Sequence, residues 1–142
     1  MAKVEKSITI NAPLEKVFEY VADPTNLPEI WCSLIDIKDV YWTVNGRRMR
    51  WAYKMAGMLF EGTAEDLEHT VNKRIVTNTK GGLNSTIAWT FESENGETKV
   101  NFTVAYKVPI PLLGKLAEII ITKINDHQGD LVMDNLKARM EG

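Results

Sequence analysis

The sequence is poor in the residues from which disulfides and metal sites are built. Its 142 residues include one cysteine, Cys32, and two histidines, His69 and His127. A single cysteine excludes an intrachain disulfide and a cysteine-based zinc site. A three-ligand metal site would have to recruit carboxylates at spacings that match no known motif. We therefore expect no metal and no cofactor.

The sequence also lacks long apolar runs and an excess of charge of one sign. Residues 1–7 are charged and do not resemble a signal peptide, and no apolar run approaches the roughly 20 residues of a transmembrane helix. Seventeen basic and nineteen acidic residues leave a net charge of -2, and the basic residues are scattered. We expect no transmembrane segment, no nucleic-acid partner and a cytoplasmic location.

What is present is the composition of an ordinary globular protein. Apolar residues make up 44% of the chain and charged residues 25%. A chain of this length is large enough to bury a single hydrophobic core. Residues 1–142 are therefore expected to form one domain.

Turn signals divide most of the chain into strands. Two Asn-Gly pairs, Asn45-Gly46 and Asn95-Gly96, each separate runs of alternating polarity and predict β-hairpins. Asn11-Ala12-Pro13 predicts the start of a first helix, and 25–30 a second short helical piece. The predicted strands cover 4–10, 34–42, 48–55, 58–68, 74–79, 83–92 and 99–108.

Residues 112–140 predict one amphipathic helix on the order of 40 Å long. Counted from Leu113, its apolar side carries Leu116, Ala117, Ile120, Ile124, Leu131 and Ala138. We expect Leu113, Leu116, Ile120, Ile124 and Leu131 to be buried against a sheet. His127 projects near the centre of this side and Gln128 at its edge, where they either meet water at the sheet rim or face a cavity.

These elements predict an α+β fold. A sheet of about seven antiparallel strands, with large residues on one face, is expected to curve around the long C-terminal helix. The two short helices between the first and second strands are expected to close one end.

Four segments, at 7–18, 89–91, 96–100 and 106–111, resemble the polyketide cyclase/dehydrase and coenzyme-Q-binding-like branch of the START-like superfamily. The resemblance covers nearly the whole chain, and its motifs are mostly structural. It implies the helix-grip fold, in which a curved sheet surrounds the terminal helix and an apolar cavity opens at one end.

No catalytic signature is recognisable, so the catalytic residues, if there are any, are unknown. Glu65, Asp66 and Glu68 cluster, but Glu65 and Asp66 should point to opposite faces of an alternating strand. A solvated outer face explains most of this cluster.

Aromatic and methionine side chains on the predicted inward faces are the candidate ligand-binding residues. Each of them is either ordinary core or part of a cavity lining, and Met and Trp suit an apolar guest. The polar tips of Tyr53, Tyr106 and His127 would orient an oxygen-bearing group. The candidates are Trp31, Met49, Trp51, Tyr53, Met55, Trp89, Phe91, Phe102, Tyr106, Ile120, Ile124 and His127.

The leading functional hypothesis is the binding or carrying of a small hydrophobic molecule, such as a lipid, isoprenoid, quinone or polyketide. One alternative is a cofactor-free enzyme of the cyclase/dehydratase type, in which a tyrosine or His127 moves a proton. The other is a protein-interaction domain whose cavity is filled. A homodimer is compatible with the sequence.

Overall fold

The computed structural model describes residues 2–108 and 114–142. These residues form seven strands and three helices, connected as predicted, with a 3-10 turn at Pro24–Asn26. The strands are β1 (Ala2–Ile10), β2 (Leu34–Thr43), β3 (Gly46–Met55), β4 (Met58–Thr70), β5 (Arg74–Gly81), β6 (Ser85–Glu94) and β7 (Glu97–Tyr106), and the helices are α1 (Leu14–Ala22), α2 (Leu27–Ile30) and α3 (Gly114–Glu141).

The seven strands form one antiparallel sheet in the order β1-β7-β6-β5-β4-β3-β2. Consecutive strands pair from β2 to β7, and β1 then adds to the far side of β7, with Val4 opposite Val104. The sheet curves around α3, and the short helices lie between β1 and β2 in the chain. The predicted α+β helix-grip fold is confirmed.

Both predicted hairpins form, but they use their Asn-Gly pairs differently. Asn95 and Gly96 are the two central residues of the β6–β7 turn, and both have positive φ, as a tight primed turn requires. In the β2–β3 hairpin Thr43 pairs with Gly46, so the turn lies one residue earlier and Gly46 begins β3.

Strand β7 shows how the alternating pattern builds the core. Thr98, Val100, Phe102, Val104 and Tyr106 are buried, while the residues between them are only partly covered. Helix α1 buries its apolar face against the same core, as its helical spacing predicts. Its buried residues are Val17, Phe18 and Val21.

The prediction for the buried face of α3 is wrong. Leu116, Ile120 and Ile124 are 74%, 50% and 45% exposed. Leu131 is half-buried and Ala138 is exposed, while Leu113 and the predicted helix start at position 112 lie outside the described residues. The buried apolar side chains are instead Ile121, Val132, Met133, Leu136 and Met140.

The close approach of α3 to β1 explains why the helix is rotated about its axis relative to the predicted orientation. Residues 116–124 are apolar around much of the helix, so their spacing does not single out one face. Gly129, in contrast, lies so close to β1 that a Cβ atom there would be 2.6 Å from Val4 Cγ1. Only the face that carries Gly129 can approach the sheet this closely.

Candidate ligand-binding cavity

A cavity of about 120 Å³ lies between the concave face of the sheet and α3. Most of its lining atoms belong to apolar and aromatic side chains. Of the residues predicted to bind a ligand, those that line it are Trp31, Met49, Trp51, Tyr53, Met55, Trp89, Phe102 and Tyr106.

Four predicted residues do not line the cavity. Phe91 packs in the main core, with its ring 5.1 Å from Phe18 in an edge-to-face arrangement. Ile120, Ile124 and His127 lie on the exposed side of α3. The rotation of the helix removes these three from the cavity, and Gln128, predicted at the edge of the helix face, lines it instead.

Several polar lining residues were not predicted from the sequence, notably Arg47, Thr77 and Asn125. For Arg47 a signal was present, since the alternation that places Met49 and Trp51 on the inner face of β3 also places Arg47 there. Nothing comparable marked Asn125, because a polar residue on a helix is ordinarily taken as solvated.

Arg47 forms a buried ion pair with Asp66 of β4. Its Nε lies 2.8 Å from Asp66 Oδ2 and its Nη2 lies 3.0 Å from Oδ1, while Nη1 donates to the Ala22 carbonyl over 3.0 Å. Thr77 donates from its hydroxyl to Asp66 Oδ1 over 2.8 Å. The guanidinium charge is thus compensated at the cavity wall.

Asp66 is the member of the acidic cluster that does not fit a solvated outer face. Its side chain is fully buried, whereas Glu65 points to the opposite face, as the alternation predicts. Burial opposes ionisation of Asp66, but the hydrogen bonds and charge of Arg47 outweigh it and lower the pKa of the carboxyl below 3.8. Asp66 therefore remains an anion paired with Arg47.

Aromatic rings form one wall of the cavity. Trp31 packs edge-on against both Phe102 and Tyr53, with centroid distances of 5.4 and 5.9 Å. Its Nε1 also donates to the Tyr53 hydroxyl over 3.2 Å. Because burial raises the pKa of Tyr53 above 10.0, this phenol keeps its proton at neutral pH.

A second tyrosine, Tyr106, meets α3 at the cavity. Asn125 Nδ2 lies 3.0 Å from the Tyr106 hydroxyl and 3.2 Å from Met55 Sδ, so this amide joins β7, α3 and β3. One turn further along α3, Gln128 Oε1 accepts a hydrogen bond from the Ser33 hydroxyl over 3.2 Å. Polar groups thus lie along the helix side of the cavity, in addition to Arg47 and Thr77 on the sheet side.

The described part of the chain contains no group of three His, Cys, Asp or Glu residues arranged to hold a metal ion. No helix within 2–108 or 114–142 is long and apolar enough to cross a membrane. The cavity has the shape to enclose an apolar molecule, and its neutral polar groups can form hydrogen bonds with that molecule.

Solved structures share this architecture over almost their entire length. A protein of Thermus thermophilus is 22% identical, with a TM-score of 0.84 over 97% of this chain and 96% of that one. A START superfamily protein from Mycobacterium smegmatis is 15% identical, with a TM-score of 0.81 over 99% and 98% of the two chains. Identities this low show the fold alone.

A third similar structure is an aromatase/cyclase from Streptomyces sp. R1128, at 13% identity and a TM-score of 0.79 over 98% of this chain and 93% of that one. A search among curated proteins finds no significant match. At the level of sequence, residues 1–141 match the family described as polyketide cyclase / dehydrase and lipid transport. With its START-like helix-grip fold, the chain belongs to this family.

Proposed function

We propose that the protein binds a small hydrophobic molecule in the cavity between the sheet and α3. The observation that supports this most directly is the cavity itself, whose walls are mainly aromatic and methionine side chains. Such linings are typical of sites for apolar ligands. Membership of a family described by lipid transport and polyketide cyclisation agrees with such a guest.

The cavity volume suggests the size of the guest. An engineered protein cavity of about 150 Å³ accepts benzene, so 120 Å³ suits a molecule of about one ring without movement of the walls. A lipid or polyketide would need more room. None of the residues 115–124 lines the cavity, but this part of α3 adjoins the lining residue Asn125 and buries only Ile121. Moving it would therefore enlarge the cavity at the least cost.

Tryptophan emission provides the test. Trp51 and Trp89 line the cavity, whereas Trp42 is 61% exposed and lies outside it. Titration with an environment-sensitive apolar dye should change the emission with one saturable site, and the Trp51→Phe/Trp89→Phe variant should lose most of the response. Trp42→Phe is the matched control. Trp31 also lines the cavity and should give the response that remains. A full response in the double variant would place the dye away from Trp51 and Trp89.

Purified protein offers a second test, because a guest bound in the cell can survive purification. Native mass spectrometry, followed by analysis of the organic-soluble extract, would identify it. A cofactor-free cyclase or dehydratase remains the second candidate, supported by the neutral phenols of Tyr53 and Tyr106 beside the cavity. Turnover of the identified compound, lost in Tyr53→Phe or Tyr106→Phe, would distinguish an enzyme from a carrier.

A further inference from the structure

Tyr106 and Asn125 both line the cavity and lie side by side, with Asn125 Nδ2 hydrogen-bonded to the Tyr106 hydroxyl. Both amide protons of Asn125 are engaged, since its Nδ2 lies 3.0 Å from the Tyr106 hydroxyl and 3.2 Å from Met55 Sδ. An amide whose two protons are used retains its carbonyl oxygen as an acceptor. Within 2–108 and 114–142 no residue donates to Asn125 Oδ1.

Tyr106 contributes the complementary donor. Its oxygen accepts from Asn125, and a phenol that accepts one bond still has its own proton to donate. That proton reaches no acceptor in the described part of the chain. Burial raises the pKa of the Tyr106 hydroxyl above 10.0, although the Asn125 hydrogen bond opposes the rise, so the phenol is a donor at neutral pH.

The charges of the lining residues further restrict which molecules the cavity can bind. Among the described lining residues Arg47 alone is charged, and its guanidinium is already engaged by Asp66 and Thr77. An anionic guest would therefore find no free cation, and a cationic guest no free anion. Burying an uncompensated charge in such a cavity is costly.

We infer that the guest is an uncharged apolar molecule that carries a hydroxyl group, which accepts a hydrogen bond from Tyr106 and donates one to Asn125 Oδ1. A hydroxyl is the smallest group that accepts and donates through one atom. This inference rests on the proposed function and specifies the chemical class of the guest.

The test uses two isosteric probes, p-cresol and p-xylene, which differ by a hydroxyl in place of a methyl group. Their dissociation constants are measured by NMR or calorimetry for the wild type and for Tyr106→Phe. We expect Tyr106→Phe to raise the dissociation constant of p-cresol about three- to tenfold relative to that of p-xylene. This factor corresponds to the loss of one neutral hydrogen bond. Tyr41→Phe, an exposed tyrosine outside the cavity, should change neither constant.

Asn125→Ala provides an independent arm, which also applies if Tyr106→Phe fails to fold. It removes the acceptor and should lower the preference for p-cresol by a similar factor. If p-xylene binds and the ratio of the two constants stays within about twofold of wild type in both variants, the hydroxyl inference is overturned and the proposed function stands. If the wild type binds neither probe saturably, both are overturned.

Discussion

Arg47 and Asp66 form a two-pronged ion pair inside the sheet, and the adjacent residue of each strand repeats the pairing on the outer face. The inner pair is buried, with 3% and 0% of the two side chains exposed. The outer pair, Arg48 and Glu65, has a similar separation of 2.8 Å but is 50% and 33% exposed. The two pairs differ mainly in their access to water.

This difference predicts unequal effects on stability. Asp66→Asn leaves the Arg47 charge buried without a counterion and should lower the free energy of unfolding by about 3–5 kcal/mol. Glu65→Gln breaks a pair that water screens and should cost about 1 kcal/mol or less. Urea denaturation of both variants checks this. Equal losses would mean that the buried pair has no special role in stability.

The decrease of the free energy of unfolding at alkaline pH should depend on Tyr20. Burial and its hydrogen bond to Glu29, 2.7 Å long, raise the pKa of this phenol to about 12. Between pH 10 and 12 the unfolded chain has released the proton and the folded chain has kept it, so stability falls as pH rises. Tyr20→Phe should therefore reduce this slope between pH 10 and 12, measured by denaturation. Because burial also raises the pKa values of Tyr53 and Tyr106, part of the slope should remain. An unchanged slope would contradict the assignment to Tyr20.

The close contact of Gly129 with Val4 predicts an effect that depends on its partner. Gly129→Ala should destabilise the wild type by roughly 1–3 kcal/mol, because the new methyl meets Val4 Cγ1 at 2.6 Å in a packed core. In a Val4→Ala background the 2.6 Å contact is removed, and the nearest remaining atom is Lys6 Cγ, at 3.2 Å on a flexible side chain. The same change should then be close to neutral or stabilise by up to about 1 kcal/mol through helix propensity. A double-mutant cycle measures the difference. Identical effects in both backgrounds would show that α3 and β1 can move apart freely.

The buried face of α3 can be tested with two apolar residues of the same helix. Leu136 is fully buried and Ile124 is 45% exposed. Leu136→Ala should cost about 2–5 kcal/mol, whereas Ile124→Ala should cost less than half as much. Thermal or urea unfolding compares them. A larger loss at Ile124 would restore the helix face that the sequence pattern predicts.

Much of the fold could be predicted because its signals are local. Turn residues such as Asn95-Gly96 and the strict alternation of β7 are consequences of backbone geometry over a few positions. The orientation of α3, in contrast, is not determined by signals over a few neighbouring positions. It is decided by Gly129 meeting β1, more than 120 positions away in the chain.

The candidate site was predictable to the extent that it is apolar. Trp51 and Trp89 follow from alternation alone, but the polar lining depends on pairs across strands. Arg47 finds Asp66 only because β3 and β4 pair in one register, with Arg48 opposite Glu65. The contact of Asn125 with Tyr106 could be predicted only if the orientation of α3 about its own axis were known.

Methionine methyl groups give the most direct measurement of the central claim, that the cavity binds a small apolar molecule. Met49 and Met55 line the cavity, Met133 and Met140 are buried in the core, and Met58 is exposed on β4. In methyl NMR of the protein labelled at methionine, titration with p-xylene should shift the Met49 and Met55 signals with one dissociation constant and leave the other three unchanged. Shifts confined to Met58, or no saturable shift at all, would contradict the account.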